Sequence, residues 1–211
     1  MKTITVDIIT DYICPWCYIG KKRFQNAMED LKNQYAFQIN YVPFQLNPNM
    51  PAEGQNRKEY RSRKFGTWEK SQAMDDAVVE AGKSEGLVFD YARVEVTPNT
   101  QKAHLLTQYA SIFNKHQVIS DKIFKSYFTE GKNIGSDDIL TSIAKSIGLD
   151  TDDEIFKHYQ SDDNKKILEN TEHQFKLKGV ISVPLFIINN VALSGAQPTK
   201  VFIEFIKENA I

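Results

Sequence analysis

Cys14-Pro15-Trp16-Cys17 contains both cysteines of this chain. The preceding segment, Ile4–Thr10, is apolar and rich in β-branched residues, which predicts a strand, and residues 15–35 predict a helix. The pair therefore lies where a strand gives way to a helix, the context in which a C-x-x-C motif indicates thiol redox chemistry. Unpaired backbone N–H groups and the helix dipole stabilise a thiolate at such a position, and the thiolate is the attacking species.

The same motif has two other interpretations, a zinc site and a structural disulfide. Structural zinc usually requires four ligands. This chain has no further cysteine, and its histidines lack the short spacing of a ligand pair: His104, His116, His158 and His173. A disulfide between the two cysteines would close too small a loop to constrain the unfolded chain much. We therefore expect a redox pair and no bound metal.

Length and composition are those of an ordinary globular protein. The chain has 211 residues, of which 41% are hydrophobic and 25% charged, and its net charge is −1. This charge gives no general attraction to nucleic acid or to a membrane surface. No apolar run approaches the roughly 18 residues of a membrane span. Because Met1-Lys2-Thr3 leads directly into the predicted strand, without the apolar region of a signal peptide, we expect a cytoplasmic protein.

The two ends of the chain are predicted to contain the strands. The first strand, the helix and a second strand over Phe37–Phe44 predict a β-α-β unit with parallel pairing. Near the other end, Val183–Ile188 predicts a buried strand, Asn189-Asn190 a turn, and the following residues a hairpin partner and a final helix.

The middle of the chain is predicted to be helical. Residues 47–51, which include two prolines, interrupt the first unit. From Arg57 to Lys178 the apolar residues recur at helical spacing, and Thr151-Asp152-Asp153-Glu154 matches a capping box. The predicted fold class is thus α/β, with a large helical block between the strands.

This order of elements resembles the DsbA-like branch of the thioredoxin fold. Within that branch, residues 11–20 (Asp-Tyr-Ile-Cys-Pro-Trp-Cys-Tyr-Ile-Gly) resemble the FrnE-like dithiol–disulfide oxidoreductases. Asn99-Thr100-Gln101-Lys102-Ala103-His104 is similar to a signature shared with kappa-class glutathione transferases and 2-hydroxychromene-2-carboxylate isomerases. The resemblance implies a thioredoxin-fold domain formed by residues 1–50 and 179–211, and an all-helical insertion domain formed by residues 51–178.

The chain departs from its related families at the cysteines. The transferase and isomerase branch has a serine where Cys14 stands, whereas this chain keeps both sulfurs, which favours redox exchange over isomerisation. Some FrnE-like proteins carry a second cysteine pair near the C-terminus. This chain has none, so we expect no electron relay within it.

The positions of the two sulfurs on the helix predict their roles. Cys14 is expected to be the exposed nucleophile and Cys17, one turn into the helix, the buried resolving thiol. The resemblance implies that Pro184 follows a cis peptide bond and faces this pair. It also implies that the backbone of Val183 pairs with an extended substrate.

Five further residues are candidates for supporting roles. Trp16, with Pro15, offers an apolar surface for substrate, or alternatively packs against the helical block. Asp11 caps the redox helix or transfers a proton. Asn99 and His104 cap and line an insertion helix, or face the active site as the resemblance implies.

A basic cluster at residues 57–64 has two interpretations. Its spacing is typical of a solvated helix face, and the alternative is binding of an anion such as glutathione. Its members are Arg57, Lys58, Arg61, Arg63 and Lys64.

These observations predict a thiol–disulfide oxidoreductase or disulfide isomerase. We expect no cofactor beyond the redox-active disulfide of Cys14 and Cys17, with glutathione as a candidate co-substrate. The expected partners are protein or small-molecule thiols and disulfides, without nucleic acid or membrane. Two alternatives stay open: a glutathione-dependent transferase or isomerase, and a chaperone-like binding protein.

Overall fold

The computed structural model describes residues 1–149, 154, 156–158 and 161–210. Its strands are β1 (Lys2–Thr10), β2 (Tyr35–Pro43), β3 (Gln55–Asn56), β4 (Val96–Thr97), β5 (Leu185–Ile188) and β6 (Val191–Ser194). The helices are α1 (Pro15–Leu31), α2 (Arg57–Phe65), α3 (Trp68–Lys83), α4 (Gln101–Ile112), α5 (His116–Phe128), α6 (Asp137–Lys145), α7 (Asp162–Leu177) and α8 (Thr199–Asn209).

The main sheet has four strands in the order β2-β1-β5-β6. Strand β1 pairs in parallel with β2, as the predicted β-α-β unit requires, and antiparallel with β5. Strands β5 and β6 form the predicted hairpin. The α/β class and the thioredoxin fold with inserted helices are therefore confirmed, whereas the proposed domain boundaries stay a prediction.

One hydrophobic core lies between the sheet and two helices. Ile4, Val6 and Ile8 alternate along β1 and are buried on the same face of the sheet. Phe24 of α1 meets Phe202 of α8 in this core, with ring centroids 5.4 Å apart. This packing fixes the direction in which α1 leaves the sheet.

A second core joins the start of α1 to the inserted helices. Tyr18 stacks on Phe124 of α5, with centroids 5.1 Å apart and ring planes 8° from parallel. Cys17 is buried in the same cluster. Lys21 is also buried and forms an ion pair with Asp121 of α5, an anchor that the sequence pattern did not predict.

Two local predictions were wrong. Helix α1 ends at Leu31, not near residue 35, because β2 already begins at Tyr35, where it pairs with Lys2. Within residues 51–178, which were predicted to form an all-helical insertion, β3 and β4 form a two-stranded sheet. Gly54 permits this pairing: its φ is +81°, and a Cβ there would lie 2.6 Å from Val96.

The predicted capping box at residues 151–154 lies outside the described residues except for Glu154. Within the described part of the chain, no helix is both long enough and apolar enough to cross a bilayer.

The aromatic core around α5 generates a stability prediction. Phe124→Ala should lower the free energy of unfolding by about 3–5 kcal/mol, because the ring is fully buried and its removal leaves a cavity. Phe113→Ala is the matched control, since that ring is 50% exposed, and it should cost about 1 kcal/mol or less. Urea denaturation of both variants measures the difference; equal losses would contradict this account of the core.

Candidate redox site

The cysteine motif forms the first turn of α1, directly after β1. Cys14 is the N-cap residue and Pro15 occupies the first helical position. The N–H of Cys14 donates to the carbonyl of Asp11 at 3.1 Å, and the N–H of Cys17 donates to the carbonyl of Cys14 at 3.1 Å. The Asp11 carboxylate instead accepts the N–H of Leu46 at 2.7 Å, so the expectation that the Asp11 side chain caps α1 was wrong.

The two thiols differ in burial, although less than expected. Both cysteines are free in this structure. Cys17 is 1% exposed, as expected for a resolving thiol, whereas Cys14 is only 6% exposed. The Cys14 thiol donates to the carbonyl oxygen of Val183, in the segment before β5, at 3.7 Å. The expectation that Cys14 is exposed was therefore wrong.

Burial also controls the acidity of the inner thiol. The pKa of Cys17 is raised well above its usual value, chiefly by burial and then by its hydrogen bond to the Cys14 sulfur. The Thr10 hydroxyl and the backbone N–H of Asp11 act in the opposite direction. Cys17 therefore holds its proton at neutral pH.

The segment that contains Val183 and Pro184 packs closely against α1. The peptide bond between Val183 and Pro184 is cis. Pro184 is buried, and a Cβ on Gly20 would lie 3.2 Å from both Pro184 and Ala196. Because glycine has no side chain there, α1 approaches this segment closely enough for Val183 to reach Cys14.

A pocket of about 190 Å³ opens beside Cys14. Trp16, which is 40% exposed, lies on its wall instead of packing into the helical block. Pro15 and side chains from neighbouring loops, strand β4 and the inserted helices complete the lining: Ile13, Leu46, Asn47, Tyr60, Arg61, Lys64, Phe65, Met74, Asp75, Val78, Thr97 and Tyr127. The pocket is thus apolar and aromatic, with a few charged groups.

The basic cluster of α2 divides into paired and unpaired cations. Arg57 and Arg61 both bond to Asp75, at 2.6 and 3.0 Å. Arg57 is buried, so a wholly solvated helix face was a wrong interpretation. Lys64 contacts Asn47 and Tyr60 at 2.9 Å. Among the described residues, no carboxylate forms an ion pair with Lys64, which leaves its charge available at the pocket.

The segment at residues 99–104 lies against the redox motif. Asn99 accepts the N–H of Gln101 at 2.9 Å and donates to the Met50 carbonyl at 2.6 Å, so it caps α4 and ties it to the loop after β2. His104 is buried with its Nε2 atom 3.5 Å from a carboxylate oxygen of Asp11. Thr10 and Asp75 also contribute to the site, although no sequence motif marked them.

The sequence of this chain matches a known protein family over most of its length. A model described as the DSBA-like thioredoxin domain matches residues 5–207. The chain belongs to the DSBA-like thioredoxin domain family. YwbO of Bacillus subtilis (strain 168) is 26% identical in an alignment 212 residues long, which covers 98% of this chain and 97% of that protein.

Solved structures share the DSBA-like fold over nearly the whole chain. A probable DsbA oxidoreductase from Streptomyces coelicolor matches with a TM-score of 0.87 and 24% identity, covering 98% of this chain and 89% of that one. The cytosolic disulfide reductase DsbM from Pseudomonas aeruginosa, solved with GSH, matches with a TM-score of 0.65 and 13% identity, covering 98% and 95%. Family membership supports thiol–disulfide exchange at the level of the family.

No metal site was found in the parts of this DSBA-like chain that the structure describes. Among those residues, no three or more histidine, cysteine, aspartate or glutamate side chains are grouped closely enough to hold an ion.

The unequal burial of the two thiols predicts unequal reactivity. In the reduced native protein at pH 7, iodoacetamide should alkylate Cys14 at least about tenfold faster than Cys17, because Cys17 is buried and protonated. Peptide mass spectrometry over time measures both rates. Denatured protein is the control, in which the rates should converge; similar rates in the native protein would contradict the prediction.

Proposed function

We propose that this protein is a thiol–disulfide oxidoreductase in which Cys14 is the nucleophile and Cys17 the resolving thiol. The observation that carries the proposal is the asymmetry of the pair: Cys14 borders the pocket and Cys17 lies behind it in the core. When the pair is oxidised, a substrate thiolate attacks the Cys14 sulfur and releases Cys17. A second substrate thiol then releases Cys14, which leaves the substrate oxidised and the pair reduced.

The reverse reaction reduces a substrate disulfide. Cys14 attacks one substrate sulfur and expels the other as a thiolate, and Cys17 then attacks Cys14 to release the second thiolate. The reduction potential of the pair relative to that of the substrate decides the direction. A reducing compartment such as the cytoplasm would keep the pair reduced and so favour the reducing direction.

We propose that substrate contacts two surfaces beside Cys14, one formed by Pro15 and Trp16 and the other by Val183 and Pro184. Trp16 and Pro15 offer apolar surface at the pocket mouth. Val183 presents a carbonyl at Cys14, and Pro184 anchors that segment against α1. An extended thiol- or disulfide-bearing segment lying along Val183 would thus have its sulfur beside Cys14. We also propose that the protein is FrnE-like, because residues 11–20, which include the two cysteines, resemble that group.

Two serine variants test whether Cys14 is the nucleophile and Cys17 the resolving thiol. Cys14→Ser should abolish turnover in an insulin reduction assay, because no nucleophile remains. Cys17→Ser should accumulate a mixed disulfide at Cys14, detected as an added mass that a reductant removes. Full dithiol-coupled turnover by Cys17→Ser would show that the assignment is wrong.

Glutathione is a second candidate, as a co-substrate or as the ligand of a transferase or isomerase. The unpaired charge of Lys64 at a pocket that reaches Cys14 favours it, because glutathione carries carboxylates as well as a thiol. DsbM, which shares the fold, is described with GSH. The second cysteine favours redox exchange over a transferase, and a chaperone-like binding role would need neither sulfur.

Calorimetry on the Cys14→Ser, Cys17→Ser double variant separates binding from exchange. If glutathione occupies the pocket, adding Lys64→Ala should weaken binding by about tenfold, which corresponds to about 1.4 kcal/mol. Lys58→Ala is the matched control, since Lys58 lies on the same helix but does not line the pocket. No heat at millimolar glutathione, or equal loss in both variants, would argue against this ligand.

A further inference from the structure

Strand β2 is an edge of the main sheet and lacks the features that usually protect an edge strand. It is nine residues long, whereas β6, at the opposite edge, has four. None of its residues is charged, and its only proline is the last residue, Pro43. It pairs with β1 residue for residue, without a bulge. An edge of this length and composition presents unpaired backbone groups to which another extended chain can add.

Helices α4 and α5 stand opposite this edge without closing on it. A groove of about 570 Å³ separates them from β2, a volume typical of ligand-binding cavities. Residues 37–41 of β2 form one side of the groove, and the end of α4, the following turn and the start of α5 form the other. We call this space the β2 groove.

The backbone of β2 faces this groove. His116, at the start of α5, contacts the backbone of Ile39, so the peptide groups of Ile39 are directed at the helices and away from β1. Because backbone direction alternates along a strand, those of Phe37 and Tyr41 are directed the same way. Nδ1 of His116 is buried and has no hydrogen-bond partner among the described residues, whereas buried polar atoms nearly always have one. The groove therefore offers unused hydrogen-bonding groups on both sides.

The side chains around the β2 groove are polar but uncharged. Burial lowers the pKa of His116 below its usual value, so this imidazole is neutral at pH 7. Carboxamides, which donate and accept hydrogen bonds as peptide groups do, supply much of the lining: Gln38, Asn40, Gln108, Asn114 and Gln117. Such a surface attracts neither anions nor cations and matches the alternating N–H and C=O groups of an extended peptide.

We propose that the β2 groove is a docking site for an extended segment of unfolded polypeptide, which adds to the main sheet as a fifth strand beside β2. The groove reads backbone, so it accepts segments of different sequence provided that they are uncharged where they contact it. A second copy of this chain fits the groove less well, because its own α4 and α5 would have to pass β2 together with its strand.

The docking site is separate from the redox pocket but adjoins the redox turn. The two cavities share no lining residue. Thr107, which lines the β2 groove, is hydrogen-bonded to the hydroxyl of Tyr12, two residues before Cys14. Under the proposed function, a polypeptide held in the groove would keep its cysteines at a raised local concentration near the redox pair. The docking itself does not rest on that function.

Binding is tested with reduced, carboxamidomethylated α-lactalbumin, an unfolded chain without free thiols, by fluorescence anisotropy. Ser111→Trp places a large ring in the groove and should weaken binding at least about fivefold. Ser146→Trp is the matched control and should bind as wild type does. Both serines are exposed at the end of a helix and donate to the carbonyl three residues earlier, but Ser146 does not line the groove.

Hydrogen exchange on the wild-type protein locates the bound chain and does not depend on any variant. With saturating probe, the amides of Phe37, Ile39 and Tyr41 should exchange at least about fivefold more slowly, because each N–H gains a partner. Amides of β6, at the other edge of the sheet, are the internal control and should not change.

Unchanged exchange at the three β2 amides would overturn the proposal, as would absence of probe binding or equal loss of binding in both tryptophan variants. Light scattering distinguishes the other occupant: a wild-type dimer that Ser111→Trp converts to a monomer would assign the groove to a second copy and also overturn the proposal. Because the probe has no thiol, none of these results depends on Cys14, and the serine variants test the redox proposal separately.

Discussion

The passage of α1 through two hydrophobic cores is the constraint on which the site depends. Its first turn is buried with Tyr18 against α5, and its later turns are buried with Phe24 against the sheet and α8. The helix therefore cannot rotate without disrupting both cores. A fixed helix holds Cys17 inside and Cys14 at the pocket, and this asymmetry gives the two sulfurs different chemistry.

Burial that fixes the geometry also creates a chemical difficulty. The same apolar surroundings that hold Cys17 in place raise its pKa and disfavour the thiolate that exchange requires. Cys17, which is 1% exposed, therefore depends on Cys14 to meet the substrate.

The spacing of apolar residues along the sequence predicted the main strands and helices of the fold. It did not predict the side-chain contacts between elements that are distant in sequence. The β-α-β start and the terminal hairpin follow from alternation and turn residues, which act between near neighbours. The ion pair of Arg57 with Asp75 and the contact of Asp11 with His104 depend on helix packing, which no spacing reveals. For the same reason, the sequence pattern predicted an exposed Cys14, whereas Cys14 is buried and contacts the Val183 carbonyl from the distant segment before β5. The cis bond before Pro184 was predicted only through family resemblance.

The inserted helices are part of the site and do not merely cover it. Helix α2 brings Lys64 to the pocket beside Cys14, and α4 brings His104 to the carboxylate behind it. The strand–turn–helix unit supplies the sulfurs, while the insertion supplies charged side chains beside them. Under the proposed function, changes in α2 at the pocket would therefore alter which substrate binds, without any change in the cysteine motif itself.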